Sequence, residues 1–441
     1  APRVVNTRSG TVSATSPLKL KLGDLALAGT AHHRLCFSPL PDLNLLGSLD
    51  YLIRYPHGCL EQTTSRVFPL LYLKDIGELL ESRYGGGQVQ ISQRGAEIDL
   101  YVQAGIQRLL SMLKVDGWFG MWPGSGGRWY WGTVYAMHFL VEARRAGVDV
   151  PEREMSQVLD RLAAEVLKPS SWKNRSETTY AAYVLALAGR DEGLEGRISF
   201  LLEKDQVETS SGNQGLSTEG RFLLGAALSA LGQAQKARTI LGDVLPAPTS
   251  IRQTAGALSS PARESALMLS TLLEVDPASP QVVALVTRLH GYRVDGRWGN
   301  TQENAYALLA LGKYASHHGD VGSNYTASVR IGDSDPLTME AGETRVVEGD
   351  YSGQEINVRL EGDGILYWFL VDEGVPADGK VEEVDSGLEV RRRYFDSAGN
   401  QIVDGTVSHG DVVQVEVSLK SSSSQTNIVV TDLLPAGLEV E

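Results

Sequence analysis

The period of hydrophobic and polar positions changes twice along this chain. Over residues 1–31 apolar and polar side chains alternate, most plainly in Leu18-Lys19-Leu20-Lys21-Leu22, which predicts strands with one buried face. From about residue 43 the period becomes helical and holds to about residue 316. Short alternating or β-branched runs then return at 329–337, 345–348, 355–360 and 365–371, bounded by Gly, Asp and Ser, and predict antiparallel sheet. A break at 375–387 precedes a second β set at 388–395, 406–407, 412–419 and 428–433. Asp396-Ser397-Ala398-Gly399-Asn400 and the serine run at 421–424 are loop signals within it.

Inside the helical region one theme recurs at roughly 40-residue spacing: a polar or Gly-containing turn, then an Ala/Leu-rich helix. It is visible in Trp131-Gly132-Thr133-Val134-Tyr135-Ala136, Thr178-Thr179-Tyr180-Ala181-Ala182-Tyr183, Ser217-Thr218-Glu219-Gly220-Arg221-Phe222, Ser265-Ala266-Leu267-Met268 and Thr301-Gln302-Glu303-Asn304-Ala305-Tyr306. About six such hairpins either stack openly or close into a ring. An open stack needs polar capping repeats, and neither 43–52 nor 305–311 is polar, so a closed ring is expected.

Composition narrows the function classes. At 441 residues the chain is long enough for two to four domains, and 42% hydrophobic with 21% charged residues is ordinary globular usage. No apolar run approaches the ~18 residues of a membrane span. A net charge of −14 argues against nucleic-acid binding, and the basic runs Arg144-Arg145 and Arg391-Arg392-Arg393 are short enough to be solvated faces. His32-His33 and His317-His318 lack Cys or acidic partners at ligand spacing, so no metal and no cofactor is expected. The chain starts without Met and stops on a running strand pattern, and so reads as an excised piece of a longer protein.

The candidate chemistry lies in Gly58-Cys59-Leu60-Glu61-Gln62. A thiol and a carboxamide at i and i+3 share one side of a helical first turn, Gly58 permits the tight approach, and Pro56 bars helix just before it. Attack of Cys59 on the Gln62 carbonyl with loss of ammonia would leave an internal thioester, which an amine or hydroxyl then opens. Helix N-terminal N–H groups favour the thiolate as attacking and leaving group. Such a bond needs an apolar wall against water. The candidates are Tyr55 upstream, and Trp118, Trp122 and Trp131 in an aromatic stretch holding four of the seven Trp. For any one Trp of that stretch a place in the core of the ring or at a hairpin end is the stronger expectation, and for His57 beside the site a role in the turn or a place facing solvent is.

By residue types alone, a Cys three positions before a Gln is a weak pattern. The longer run Tyr55-Pro56-His57-Gly58-Cys59-Leu60-Glu61-Gln62-Thr63-Thr64-Ser65-Arg66 resembles the thioester segment of the bacterial α2-macroglobulins, within the family that includes complement components. Trp298-Gly299-Asn300-Thr301-Gln302-Glu303-Asn304-Ala305-Tyr306-Ala307-Leu308 resembles that family's closing hairpin, and residues 131–140 its early one. The resemblance covers essentially the whole chain. It implies a multidomain α + β fold: a CUB-like β segment (1–38), an α/α-toroid thioester domain of about six hairpins (39–316), the rest of the CUB-like domain (317–387), and the start of a terminal macroglobulin β-sandwich (388–441), incomplete at Glu441.

The same resemblance implies a covalent trap rather than a catalyst: attacking proteases, captured through Lys amines by the Cys59–Gln62 thioester, with Gly58 and Glu61 supporting the turn. The further partners would be the missing macroglobulin domains of the parent. It implies a bacterial periplasmic setting, with the parent lipid-anchored to a cell membrane. Some complement relatives use a distant His for transfer to hydroxyls; no His falls near 169–179 here, so amines are the expected acceptors. Two alternatives stand beside this: an α/α-toroid polysaccharide lyase or glycosidase using carboxylates among Glu61, Glu177, Glu219, Glu264 and Glu303, or a non-covalent binding scaffold.

Overall fold

The structure is a computed structural model, and it describes residues 4–23, 26–39, 58–72, 95–170, 175–253, 258–293, 297–318, 324–377, 385, 388–403, 405–421, 428–432, 434 and 437–439. Contacts divide the chain into two units, with the division between Ala377 and Asp378.

In the first unit three strands precede the helices and five follow them. These are β1 (Val4–Val12), β2 (Leu18–Lys21) and β3 (His32–Ser38), then β4 (Asn324–Ile331), β5 (Leu337–Glu340), β6 (Arg345–Gly349), β7 (Glu355–Asp363) and β8 (Leu366–Gly374). They form two antiparallel four-stranded sheets ordered β1-β8-β3-β6 and β2-β7-β4-β5. Strand β4 alternates strictly between exposed and buried positions, as its sequence demands of a sheet with one wet face. The inward residues of both sheets, among them Leu35, Phe37, Val329, Ile356, Val358 and Leu370, share one core. Residues on both sides of the helical region therefore build a single sandwich.

Between β3 and β4 run eleven described helices: α1 (Leu60–Val67), α2 (Gly95–Leu110), α3 (Tyr130–Arg145), α4 (Glu152–Val166), α5 (Arg175–Leu187), α6 (Leu194–Ser210), α7 (Thr218–Ala230), α8 (Ala234–Leu241), α9 (Pro261–Val275), α10 (Gln281–Gly291) and α11 (Thr301–His318). The odd-numbered helices pack in a circuit, α1 on α3, α3 on α5, and onward through α7 and α9 to α11, which packs back on α1. Burial explains the two kinds. Residues 131–143 of α3 and 262–273 of α9 are buried on every face, whereas α4 buries only Met155, Val158, Leu159, Leu162 and Val166, the stripe of an amphipathic outer helix. The expected start of the helical region at 43–52 lies outside the described residues.

Among the described residues, α10 packs on β1, and polar and aromatic contacts add to the tie between helices and sandwich. The Tyr314 and Tyr367 hydroxyls meet at 2.7 Å, and the Arg293 guanidinium stands 5.2 Å from both the Trp298 and Phe369 rings. In the second unit, β9 (Leu388–Phe395) pairs antiparallel with β10 (Gln414–Ser421). There the basic run is paired: Arg391 with Asp385 at 2.6 Å and Arg392 with Asp432 at 2.6 Å.

Candidate thioester turn

Cys59 is the N-cap of α1, with extended backbone, and Gln62 is the N3 residue. They face each other in a capping-box arrangement: the Cys59 side chain is turned as acceptor to the Gln62 backbone N–H, and the Cys59 N–H donates to Gln62 Oε1 at 3.3 Å. The usual box pairs Ser or Thr with Glu or Gln; here the same geometry sets a thiol beside a carboxamide. Cys59 is half-buried and Gln62 is exposed, so the pair lies on the outer side of the turn.

Gly58 has φ +150°, and a Cβ built there would stand 2.7 Å from Gln62 Oε1 and 2.8 Å from Gln62 Cβ. Glycine is therefore required twice, for the backbone conformation and for the space the carboxamide occupies. The Gly58 carbonyl accepts from the Arg108 guanidinium at 3.2 Å, near the end of α2. Leu60 N–H donates to the Met121 carbonyl at 2.9 Å, satisfying one of the unpaired N–H groups of the first turn. The Leu60 side chain is fully buried, which stabilises the turn's seat by roughly 1.5–3 kcal/mol. It lies so near Gly132 that a Cβ there would stand 3.0 Å from Leu60 Cδ2.

Glu61 points the other way, into the ring, at 7% exposure. Ser65 Oγ donates to it at 2.7 Å and meets the Tyr135 hydroxyl at 3.1 Å. Burial pushes the Glu61 carboxyl above its usual range, against the pull of the Ser65 bond and of Arg66. Tyr135 stacks on Tyr306 with centroids 5.0 Å apart, the Tyr306 and Tyr180 hydroxyls meet at 2.9 Å, and Tyr180 meets His138 Nδ1 at 2.8 Å. A polar thread thus leads from the first turn of α1 into the middle of the ring, where burial holds the His138 imidazole below its usual pKa.

The candidate wall residues divide. Trp118 is buried edge-on against Tyr130, and Trp131 is buried against Trp129 and Tyr135 with the Arg263 guanidinium 5.4 Å from its ring, so both are core. Trp122 is 46% exposed next to Met121, whose carbonyl touches the turn. Tyr55 and His57 lie outside the described residues. Four of the five glutamates are engaged by polar partners of their own. Glu219 binds Arg263 at 2.9 Å, Glu264 accepts from the N–H groups of Thr249, Ser250 and Glu219, Glu303 holds Arg252 and the Gly299 N–H, and Glu61 holds Ser65. Glu177 is partly buried with its carboxyl pushed up, first by burial. Among the described residues no group of His, Cys, Asp and Glu is arranged to hold a metal ion, and no helix is long and apolar enough to cross a membrane. Arg108, the Met121 carbonyl and the Ser65–Tyr135 pair escaped sequence reasoning. For Ser65 alone a signal existed, its i+4 spacing from Glu61.

These features define a multidomain α + β chain whose helical region, inserted between two parts of one sandwich, carries a Cys–Gln turn at the start of its first described helix. Residues 387–441 match the family described as the bacterial alpha-2-macroglobulin MG10 domain. The chain is 30% identical over 427 residues to alpha-2-macroglobulin of Escherichia coli K12, a match that takes in 93% of this chain and 24% of that protein. Its fold is similar to the native E. coli alpha-2-macroglobulin structure spanning domain MG7 to the C-terminus, at 23% identity and TM-score 0.62 over 96% of this chain and 64% of that one. It is also similar to Salmonella alpha-2-macroglobulin reacted with methylamine, at 25% identity and TM-score 0.60 over 95% of this chain and 27% of that one. The chain belongs to the bacterial α2-macroglobulin family. It spans about a quarter of the length of the first curated relatives it matches, 24% and 27%.

Proposed function

We propose that Cys59 and Gln62 form an internal thioester and that the protein is a single-use trap for proteases, acylating amines on the protein that attacks it. The observation that carries this reading is the reciprocal Cys59–Gln62 turn, with the carboxamide oxygen held 3.3 Å from the Cys59 N–H. In forming the bond, Sγ joins Cδ of Gln62, the C–N bond breaks and ammonia leaves. In capture, the amine nitrogen of a target Lys joins Cδ, the C–S bond breaks, and one amine proton ends on the Cys59 sulfur. No turnover follows, because the product is a stable amide. That a Salmonella relative has been reacted with methylamine supports amines as acceptors.

On this reading the sandwich around the helices is the CUB-like domain, residues from 388 begin a macroglobulin sandwich, and Trp122 and Tyr55 shield the bond. The working partners are attacking proteases and the other macroglobulin domains of the parent, and the setting is the bacterial periplasm with a lipid-anchored parent. The test is intact mass with thiol titration. The protein should weigh one ammonia less than its sequence, and methylamine should free one thiol while adding one methylamine at Gln62. A fresh preparation with full sequence mass and no methylamine uptake would overturn it.

A further inference from the structure

The peptide unit joining Gly58 to Cys59 is held at both ends. Its carbonyl accepts from Arg108 at 3.2 Å, and its N–H points at Gln62 Oε1 at 3.3 Å. Oε1 is the atom that stays when ammonia leaves, so it is also the carbonyl oxygen of the thioester and the oxygen that takes up negative charge whenever Cδ becomes tetrahedral. We infer that the Cys59 N–H is the oxyanion donor of this turn, and that Arg108 is the positioning residue that aims and strengthens it. This rests on the thioester reading above.

Three observations converge on it. The 3.3 Å separation is long for a bond to a neutral amide and would shorten as charge grows on the oxygen, the behaviour of a donor aimed at the transition state. Leu60 N–H and Thr63 N–H are already engaged, by the Met121 carbonyl and by the Cys59 carbonyl, so neither competes for Oε1. A guanidinium on the carbonyl end of a peptide polarises its N–H end, because successive hydrogen bonds strengthen one another. The Arg108 Nε is buried without a hydrogen-bond partner among the described residues, so the Gly58 carbonyl is the polar contact that fixes the guanidinium against the turn. Gly58 completes the geometry, since any Cβ would push Oε1 off the donor.

When an amine attacks Cδ, the carbonyl π pair moves onto Oε1 and is held by the Cys59 N–H. The pair then returns, the C–S bond breaks, and the amine proton passes to sulfur. Arg108 touches none of these atoms and acts through the peptide.

The experiment uses the whole chain, with Arg108→Met and Arg108→Lys, and follows thiol release on methylamine addition across pH together with intact mass. Arg108→Met should slow release about tenfold at every pH, because the donor is weakened while amine protonation still sets the profile's shape. Arg108→Lys, which restores a charge on the carbonyl, should recover most of the rate. A role confined to holding the fold predicts the reverse: a loosened turn that frees its thiol faster, to water as well as to methylamine. Release in Arg108→Met at the wild-type rate or faster overturns the inference. So does loss of the thioester in both variants alike, whereas its loss in Arg108→Met alone supports it, since bond formation passes through the same oxyanion. If the wild type itself lacks the ammonia deficit, the thioester reading has failed first.

Discussion

Lys313 Nζ lies 2.8 Å from Glu142 Oε1 although 171 residues separate them in sequence, and it reaches Glu274 Oε1 at 2.5 Å. Helices α3, α9 and α11 meet at this ion triad inside the ring, and Tyr183 donates to both Glu274 oxygens. Burial alone would raise the Glu142 carboxyl, yet Lys313 and His138 hold it well below its usual range; the same carboxylates hold the Lys313 ammonium well above its own. Lys313→Met would strip buried Glu142 and partly buried Glu274 of the ammonium they share, leaving Glu142 only the half-exposed Arg145 guanidinium at 3.6 Å. A loss of about 3–5 kcal/mol is expected in urea unfolding at neutral pH, and adding Glu142→Gln should recover part of it. A loss below about 1 kcal/mol would show that the triad is solvated or relaxes.

Gly58→Ala addresses the turn itself. A methyl group 2.7 Å from Gln62 Oε1, on a backbone at φ +150°, displaces the carboxamide from Cys59. The variant should keep its helical circular dichroism, because the strain is local, and should show the full sequence mass with no methylamine uptake. An ammonia deficit equal to the wild type's would mean that the turn tolerates the side chain.

Cys59→Ala separates chemistry from fold. The Cys59 side chain is half-buried at a helix start, and the seat of α1 is made by Leu60, Val67 and Phe68 in the core and by the Met121 carbonyl. Covalent capture should vanish while thermal stability changes by about 1 kcal/mol or less, the ordinary cost of losing a cap. A collapse of the melting temperature would place the sulfur in a structural role.

How much of this could be read in advance follows from where each signal resides. The strands announced themselves by alternation and the inner helices by Ala/Leu-rich runs, because burial on one face or on all faces leaves a local imprint. Cys59 and Gln62 were legible because both partners of the chemistry lie within one turn. Arg108 and Met121 were not: their contacts to Gly58 and Leu60 form only when α2 and the loop before α3 fold back on α1, and a backbone carbonyl carries no residue-type signature at all. Trp118 and Trp131 admit both readings, with core the stronger for either, since an aromatic ring supplies the same apolar area as wall or as core. Only their packing against Tyr130 and Tyr135 places them in the core.

The pH dependence of stability should expose Glu61. Its carboxyl is raised above the ordinary value by burial, so the native state binds this proton more tightly than the unfolded chain does. Stability from this group is fully present below the unfolded pKa and is lost as pH rises through the higher folded value. Glu61→Gln keeps a carboxamide oxygen for Ser65 Oγ and removes the titration. Relative to the wild type it should therefore gain stability as pH is raised from about 4 to 7, with the two curves drawing together at the acid end. The comparison cancels His138 and Glu142, both held below their usual values, which erode stability on the acid side in either protein. If the difference between Glu61→Gln and wild type is flat across that range, or runs the other way, the buried carboxyl is already stabilised as an anion. The Ser65–Tyr135 end of the thread would then be the charge's partner rather than a neutral neighbour.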